Sequence, residues 1–286
     1  MSISSVATLR ARIESSLGER LSSTLLLRER VAPLTVSTGI EELDTLTGGL
    51  PRGALSEIVG PISSGRTGVM LSALACATRR QEACALVDAS DSFDPESAQA
   101  AGVALDRLLW IRCSEREALP SRNFTRNLRP QRRALRRLDQ VLKVTDLLLQ
   151  SGGFGMVVLD LGDIPAESAR RVPLTSWFRF RRAVEPTATV LLLLEQDACA
   201  KTCASLVLQL QRRSVSVHNA VAEKSAETTG WRVITGAEAV PAANPVSHAA
   251  LLQGIQLQAE VVRSWTRKPV QSAHSAFALS AKYAIG

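Results

Sequence analysis

The sequence predicts an α/β fold in which a mostly parallel central sheet is covered by helices on both faces. Short apolar runs, such as residues 156–159 and 190–194, alternate with segments of helical periodicity. Uninterrupted apolar runs of this kind are typical of parallel strands that are buried on both faces. The chain has 286 residues, of which 45% are apolar, and this is enough for one such core with extensions.

The first 36 residues predict an N-terminal helical arm outside the core. Leu9, Ile13, Leu17 and Leu21 recur at helical spacing between charged residues. The arm either caps the sheet or docks another subunit, and the cap is the simpler interpretation. We place the core at residues 37–217 and a C-terminal extension at residues 218–286.

Strands and helices alternate through the core. A short helix ends at Gly48-Gly49, and the turn at residues 51–53 leads into the first apolar strand. The predicted strands are residues 55–59, 83–88, 108–112, 156–160, 189–194 and 206–210. The helices that follow them are predicted at residues 69–75, 96–102, 135–149 and 177–184.

The pattern weakens beyond Val217. Residues 231–234 suggest an edge strand, and residues 248–265 suggest a surface helix. From about residue 266 the chain carries no acidic residue, and we expect it to be disordered.

Charge and composition indicate a cytoplasmic protein with a polyanionic partner. The net charge is +7 and the sequence pI is about 9.6, which favours nucleic acid as that partner. No apolar run approaches the roughly 18 residues that span a bilayer, and Arg10, Arg12 and Glu14 stand where a signal peptide would be apolar. We therefore expect no membrane association.

The cysteines indicate free thiols in a reducing compartment, because their number is odd and they are scattered through apolar segments. Only Cys199 and Cys203 are spaced as metal ligands could be, and no histidine follows them before His218. We do not expect a metal site at this pair. The five residues are Cys76, Cys84, Cys113, Cys199 and Cys203.

Residues 60–67 read G-P-I-S-S-G-R-T, between a strand and a helix. This is nearly the phosphate-binding pattern G-x-x-x-x-G-K-[S/T] of P-loop NTPases, in the context that the motif requires. Backbone N–H groups in such a loop, and the helix N-terminus after it, hold phosphates. The alternative is a degenerate loop that keeps its fold and binds nothing. The predicted nucleotide-binding residues are Gly60, Pro61, Ser63, Ser64, Gly65, Arg66 and Thr67.

Arg66 replaces the lysine of that pattern. Arginine keeps the positive charge but is longer, planar and forked, so it either clamps an anion bidentately or fails to fit under the phosphates. We expect nucleotide binding without fast hydrolysis. The loop should share one site with Asp88, Asp160, Glu195 and Gln196, since all of them lie at the carboxyl ends of predicted parallel strands.

An arginine-rich insert precedes the longest helix. Seven arginines and no acidic residue occur in this stretch, and such a cluster of like charges favours a bound anion over a merely solvated helix face. We expect it to bind DNA, single-stranded rather than duplex, or an acidic protein. The residues are Arg122, Arg126, Arg129, Arg132, Arg133, Arg136 and Arg137.

A second basic stretch, residues 170–182, interleaves arginines with Trp177, Phe178 and Phe180. Stacking plus charge could bind single strands. Trp177 and Phe180 are spaced to face the sheet, and we favour core packing.

Several spaced motifs resemble the ATPase core of the RecA recombinase family. They are Ser37-Thr38-Gly39, Leu43-Asp44, residues 48–53, residues 57–65, Val87-Asp88-Ala89 and Phe93-Asp94-Pro95, and the resemblance continues to about Arg213. Arg66-Thr67 and residues 92–95, 109–112 and 153–161 are more similar to the ImuA type, RecA-like proteins that accompany an error-prone polymerase in a damage-inducible mutagenesis cassette.

This resemblance implies ATP or ADP as ligand, with Mg²⁺. Asp160 matches the Walker B carboxylate that holds magnesium through water, and Thr67 would supply the hydroxyl ligand; a purely structural partnership between the two is the alternative. Gln196 matches the glutamine that senses the terminal phosphate. Ser90 stands where RecA has its water-activating glutamate, so that only Asp91 and Glu195 remain as candidate bases.

Both stretches that correspond to the DNA loops of RecA are short, including residues 197–205. The resemblance therefore implies an accessory protein of DNA repair and damage tolerance, in the SOS response and translesion synthesis, that does not exchange strands. It also suggests a Y-family polymerase relative or RecA as partner. The alternatives are a DNA-dependent ATPase of homologous recombination, and an inhibitory or scaffolding protein with a vestigial P-loop.

Overall fold

The computed structural model describes residues 33–113, 130–217, 252–264 and 274–280, together with Thr8. The chain divides into two compact units, Met1–Pro33 and Leu34–Gly286, and the fold described below is that of the second unit. Most of the predicted N-terminal arm lies outside the described residues. The domain boundaries after residues 36 and 217 stay predictions.

An eight-stranded sheet forms the centre of the fold, in the order β10-β9-β8-β3-β7-β6-β4-β5. The six strands from β8 to β5 are parallel to their neighbours, while β9 and β10 continue the sheet antiparallel. The strands are β3 (Ala54–Val59), β4 (Cys84–Asp88), β5 (Leu108–Arg112), β6 (Met156–Asp160), β7 (Val190–Glu195), β8 (Ala204–Val217), β9 (Leu252–Arg263) and β10 (His274–Ser280). β1 (Thr35–Val36) and β2 (Leu50–Pro51) form a separate antiparallel pair.

Helices cover both faces of this sheet, which confirms the predicted fold class. They are α1 (Glu41–Thr47), α2 (Arg66–Arg79), α3 (Pro95–Ala100), α4 (Pro130–Ser151), α5 (Ala166–Ala169) and α6 (Leu174–Val184). Apolar residues of α1 and α2 pack on one face, and those of α4, α5 and α6 pack on the other. Among the described residues, no helix is both long and apolar enough to cross a membrane.

The apolar runs of the sequence form strands because each of them supplies both faces. In β6, Met156 and Val158 belong to the core on the α2 side, whereas Val157 and Leu159 belong to the core on the α4 side, and all four side chains are fully buried. A strand that is buried on both faces needs no polar alternation.

Two of the three aromatic residues of α6 pack in the core, and these are the two that the sequence analysis expected there. Trp177 and Phe180 are fully buried and meet edge to face, with ring centroids 5.9 Å apart. Phe178 is on the opposite side of the helix and is 48% exposed. Arg179 donates a hydrogen bond to Asp146 on α4. The stacking rings needed for single-strand binding are therefore mostly buried.

The helix predicted over residues 248–265 is wrong, because β9 occupies Leu252–Arg263. Its burial alternates with a period of two: Leu257, Ala259 and Val261 are buried, while Gln256 and Val262 are exposed. Pairing with β8 buries this apolar row against the core and overrides the helical spacing.

A further strand lies inside the stretch that the sequence predicts to be disordered from about residue 266. β10 spans His274–Ser280 and pairs antiparallel with β9, so this segment is part of the sheet. The edge strand predicted at residues 231–234 lies outside the described residues.

Truncation of Trp177 tests the packing of α6. We expect Trp177→Ala to lower the free energy of unfolding by about 3–5 kcal/mol, because it opens a cavity under α6. Phe178→Ala is the matched control and should change it by less than about 1 kcal/mol, since that ring is half exposed. Urea denaturation measures both, and equal losses would contradict the packing described.

Candidate functional site

The loop between β3 and α2 has left-handed backbone at two positions. Ser63 has a φ of 63° and Gly65 a φ of 86°, and left-handed residues of this kind turn neighbouring N–H groups toward one concave side. Gly65 is the N-cap of α2, and no side chain caps that helix end. The N–H groups of the first turn, which have no partner within a helix, are therefore available to a ligand.

Two strands form a wall beside this loop. A Cβ atom at Gly60 would lie 2.4 Å from the carbonyl oxygen of Leu210 on β8, and one at Gly65 would lie 2.2 Å from a methyl carbon of Leu257 on β9. Only glycine fits at Gly60, because the obstacle there is backbone. The contribution of β9 to this wall was missed by the sequence analysis, since the segment that contains Leu257 was assigned to a surface helix.

Arg66 folds underneath the loop. Its side chain is 8% exposed, and its Nη2 donates to the carbonyl oxygen of Gly162 at 3.3 Å. Its Nη1 is buried without a hydrogen-bond partner in the described part of the chain. Burial lowers the pKa of this guanidinium, although nearby carboxylates, that of Asp160 first, act against the shift. An arginine stays protonated at neutral pH, so the loop has a buried cation with one unused donor.

Gly162, just beyond the end of β6, connects three of the predicted site residues. Its N–H donates to Oδ1 of Asp160 at 2.9 Å, and its carbonyl oxygen accepts from Nε2 of Gln196 at 3.1 Å as well as from Arg66. A Cβ atom at this position would lie 3.0 Å from Oδ1 of Asp160 and 3.2 Å from Nη1 of Arg66. Gly162 was missed by the sequence analysis, and its only signal was its position after a strand that ends in a carboxylate.

Asp160 ionises with difficulty at this position. Burial raises the pKa of its carboxyl to about 6; the charge of Asp88 adds to the shift, and the Gly162 N–H and the Arg66 charge oppose it. Close to neutral pH the carboxyl is therefore mostly ionised, and below pH 6 it is mostly neutral.

Asp88, at the end of β4, organises the neighbouring loop. Its Oδ1 accepts from the backbone N–H groups of Ser90 and Asp91, and its Oδ2 accepts from that of Phe93 and from the indole N–H of Trp110. With these contacts Asp88 has a structural role. The sequence predicted its place beside the site but not this set of donors.

The two candidate bases occupy unfavourable positions for that role. Asp91 forms a bidentate ion pair with Arg112 on β5, with both N–O distances 2.5 Å. Glu195 is 1% exposed and accepts a hydrogen bond from the thiol of Cys199 at 2.9 Å, and burial raises its pKa well above the ordinary value. The charge of Asp91 is engaged in its ion pair, and Glu195 is closed to solvent, so neither carboxylate has ready contact with a water molecule that it would activate. The assignment of either as a base stays a prediction.

Thr67, the other predicted magnesium ligand, is exposed on the first turn of α2. A threonine hydroxyl and a carboxylate are both ligands that Mg²⁺ accepts, so the residue types fit the cation. The site of Thr67 and Asp160 stays a prediction.

The arginine-rich insert is described only in part. Arg122, Arg126 and Arg129 lie outside the described residues, and Arg132 and Arg133 lie near the start of α4. Arg136 is exposed, in a groove along α4 that also contains Asp139 and Lys143, and Arg137 is half-buried. The described part of this basic region therefore has an acidic neighbour at Asp139.

The described residues form a mixed α/β core in which a glycine-containing loop connects β3 to α2. Residues 5–118 match the RecA N-terminal domain family. The chain is 33% identical over 157 residues to Protein RecA from Rickettsia canadensis (strain McKiel) and from Rickettsia bellii (strain RML369-C), and 34% identical over 158 residues to Protein RecA from Clavibacter michiganensis subsp. michiganensis (strain NCPPB 382).

These alignments cover 54% of this chain but only 39%, 39% and 38% of the three relatives, so the chain spans about two fifths of their length. Together with the fold, the matches support assignment of the core to the RecA superfamily. The closer resemblance to the ImuA type stays a prediction.

Replacement of Asp160 tests the cost of its burial. The pKa of the Asp160 carboxyl in the folded protein, about 6, lies above the ordinary 3.8. As the pH falls, the folded protein therefore binds this proton before the unfolded chain does. Protonation stabilises the folded state at low pH, and this stabilisation is lost as the pH rises from about 4 through 6. Between pH 4 and pH 7 the wild type should therefore lose about 2 kcal/mol relative to Asp160→Asn, whose side chain has no charge to bury.

The measurement is the free energy of urea unfolding without nucleotide or divalent cations. Asp139→Asn, on the exposed face of α4, controls for the loss of one negative charge. A constant difference between the wild type and Asp160→Asn across this pH range would contradict the description of Asp160 as a carboxyl whose ionisation is costly.

Proposed function

We propose that the chain is a RecA-like accessory protein of DNA repair and damage tolerance, of the ImuA type. It binds ATP or ADP with Mg²⁺, contacts DNA or a repair partner, and hydrolyses the nucleotide slowly or not at all. The observation that carries this proposal is the position of Arg66, whose guanidinium contacts Gly162 under the loop.

Nucleotide binding rests on main chain that the arginine leaves intact. The left-handed residues Ser63 and Gly65 and the uncapped start of α2 form a cradle for phosphate oxygens. The unused Nη1 of Arg66 is an additional donor for an anion, because a buried unpaired N–H costs free energy until it finds an acceptor.

Slow hydrolysis follows from three features of the site. Arg66 is engaged at Gly162, and Ser90 stands where the resemblance places the water-activating glutamate. Of the two alternative carboxylates, Asp91 is ion-paired and Glu195 is closed to solvent. Magnesium held by Thr67 and Asp160 would be bound weakly, because the Arg66 guanidinium repels a second cation near the same carboxylate.

The absence of strand exchange is supported by the segment between β7 and β8. The backbone N–H groups of Cys199 and Ala200 donate to Oε1 of Glu57, at 2.9 and 2.7 Å, and a 3₁₀ turn at Lys201–Cys203 follows. A short segment that is bonded to the buried core cannot extend along a DNA backbone. DNA or an acidic partner is instead contacted by the arginine-rich insert, and the net charge of +7 favours such partners.

A recombinase is the second candidate, since the relatives with 33–34% identity carry the name Protein RecA. In that case the protein would be a DNA-dependent ATPase of homologous recombination. The third candidate, a scaffold with a vestigial P-loop, is a possible outcome of the first experiment below.

Arg66→Lys tests the nucleotide site. The wild type should bind ATP, and single-stranded DNA should not stimulate its turnover. We expect the lysine variant to bind about tenfold more tightly, because its ammonium can reach the terminal phosphates with one more charge-assisted hydrogen bond. Equilibrium dialysis and phosphate release, each with and without single-stranded DNA, measure both quantities.

Arg79→Lys, at the exposed far end of α2, is the matched control and should leave nucleotide affinity unchanged. DNA-stimulated turnover in the wild type would contradict the proposal and favour the recombinase. If neither the wild type nor Arg66→Lys binds nucleotide, the proposal also fails and the scaffold is favoured.

A salt titration tests the arginine-rich insert. Replacement of Arg122, Arg126 and Arg129 by alanine should weaken single-stranded DNA binding and reduce the slope of log affinity against log salt by roughly 0.7 for each lost phosphate contact, about 2 in all. A variant with alanine at Arg79 and Arg80 is the control for the loss of positive charge outside the insert, and it should leave the slope unchanged. An unchanged slope in the triple variant would exclude the insert as the DNA contact.

A further inference from the structure

A second site lies in the core, separate from the P-loop cradle. We propose that Glu57, Glu195 and Cys199 bind one divalent transition-metal ion of the zinc type, which holds the segment between β7 and β8 against β3. We call these three residues the buried triad. This inference does not depend on nucleotide binding.

The buried triad brings ligand atoms together from three places in the chain. Glu57 lies in β3, Glu195 ends β7, and Cys199 lies in the segment that follows. One carboxylate oxygen of each glutamate and the Cys199 sulfur all lie within 4.8 Å of one another. The exposed fractions of the three residues are 0%, 1% and 4%, so the site is closed to bulk water.

Each glutamate has an oxygen without a partner. Oε2 of Glu57 and Oε2 of Glu195 are both buried, and neither has a hydrogen-bond partner among the residues that the structure describes. Two such oxygens in an apolar core are costly, because buried polar atoms are almost always paired. A bound cation would provide the missing partner for both.

Outer contacts hold the first of these ligands in place. Oε1 of Glu57 accepts from the backbone N–H groups of Cys199 and Ala200, which fixes the plane of the carboxylate and leaves Oε2 for another contact. Ligating carboxylates in proteins are commonly oriented by hydrogen bonds of this kind.

The ligand types select the metal. A thiolate with two carboxylate oxygens suits Zn²⁺, whereas Mg²⁺ and Ca²⁺ prefer ligand sets made only of oxygen. Metal binding removes the proton that the thiol now donates to Glu195. Three anionic ligands exceed the charge of the ion by one, and the positive charges of Arg66 and Arg263 lie close enough to favour the ionised carboxylates.

The ion would have a structural role. It would join the strand that enters the P-loop to the strand end that carries Gln196, and it would fix the segment that leads into β8. The pair Cys199 and Cys203 considered from spacing alone is not the ligand set, because the group of ligand atoms within reach of one another contains the two glutamates and not Cys203.

The test uses the full chain without nucleotide, loaded with Zn²⁺ or Co²⁺ and freed of excess metal by gel filtration. We expect about one bound zinc per chain by elemental analysis, a higher melting temperature than that of the chelator-treated protein, and a thiolate-to-cobalt charge-transfer band. Cys199→Ser should abolish the band and weaken zinc binding at least about 100-fold. Cys203→Ser, another buried thiol, should retain both.

Glu57→Gln and Glu195→Gln are the second and third variants. Each removes one carboxylate ligand and should weaken zinc binding, so the test remains possible if one of the two variants folds poorly. Zinc content that is unchanged in folded Cys199→Ser would overturn the proposal. A folded wild type that retains no zinc and shows no melting shift would overturn it as well, and would indicate that the two carboxyls share protons. Because nucleotide affinity is measured in a separate titration, failure here is distinguishable from failure of the proposed function.

Discussion

The hydrogen bonds of Gly162 are the constraint on which the candidate site depends. Gly162 forms hydrogen bonds with Arg66 in the loop after β3, with Asp160 at the end of β6 and with Gln196 after β7. Arg66 is buried and bonded to the main chain at Gly162, so in the proposed function the phosphates are held by the backbone of the loop and not by this side chain.

The C-terminal half of the sheet adds a second constraint. β8 lies directly against Gly60, and β9 lies directly against Gly65. The segment before β8 donates two backbone hydrogen bonds to Glu57 in the core. The segments that border the candidate site on this side are therefore packed against the core.

The sequence predicted the parallel core well, because strands buried on both faces leave an unmistakable apolar signature. It also placed Asp160 and Gln196 correctly at adjacent strand ends. It failed at β9, where Leu257, Ala259 and Val261 become buried only through pairing with β8, a long-range contact that local periodicity does not contain. The direction of the Arg66 side chain and the buried triad were equally invisible, since each depends on residues that are distant in the chain and meet only in three dimensions.

The position of Arg66 in the nucleotide complex tests the account most directly. A crystal structure of the chain with Mg²⁺ and a slowly hydrolysed ATP analogue should show phosphates on the backbone of residues 63–67, with the Arg66 guanidinium still within hydrogen-bond distance of the Gly162 carbonyl oxygen. An Arg66 side chain that has left Gly162 and extends along the β- and γ-phosphates, as a P-loop lysine does, would contradict it.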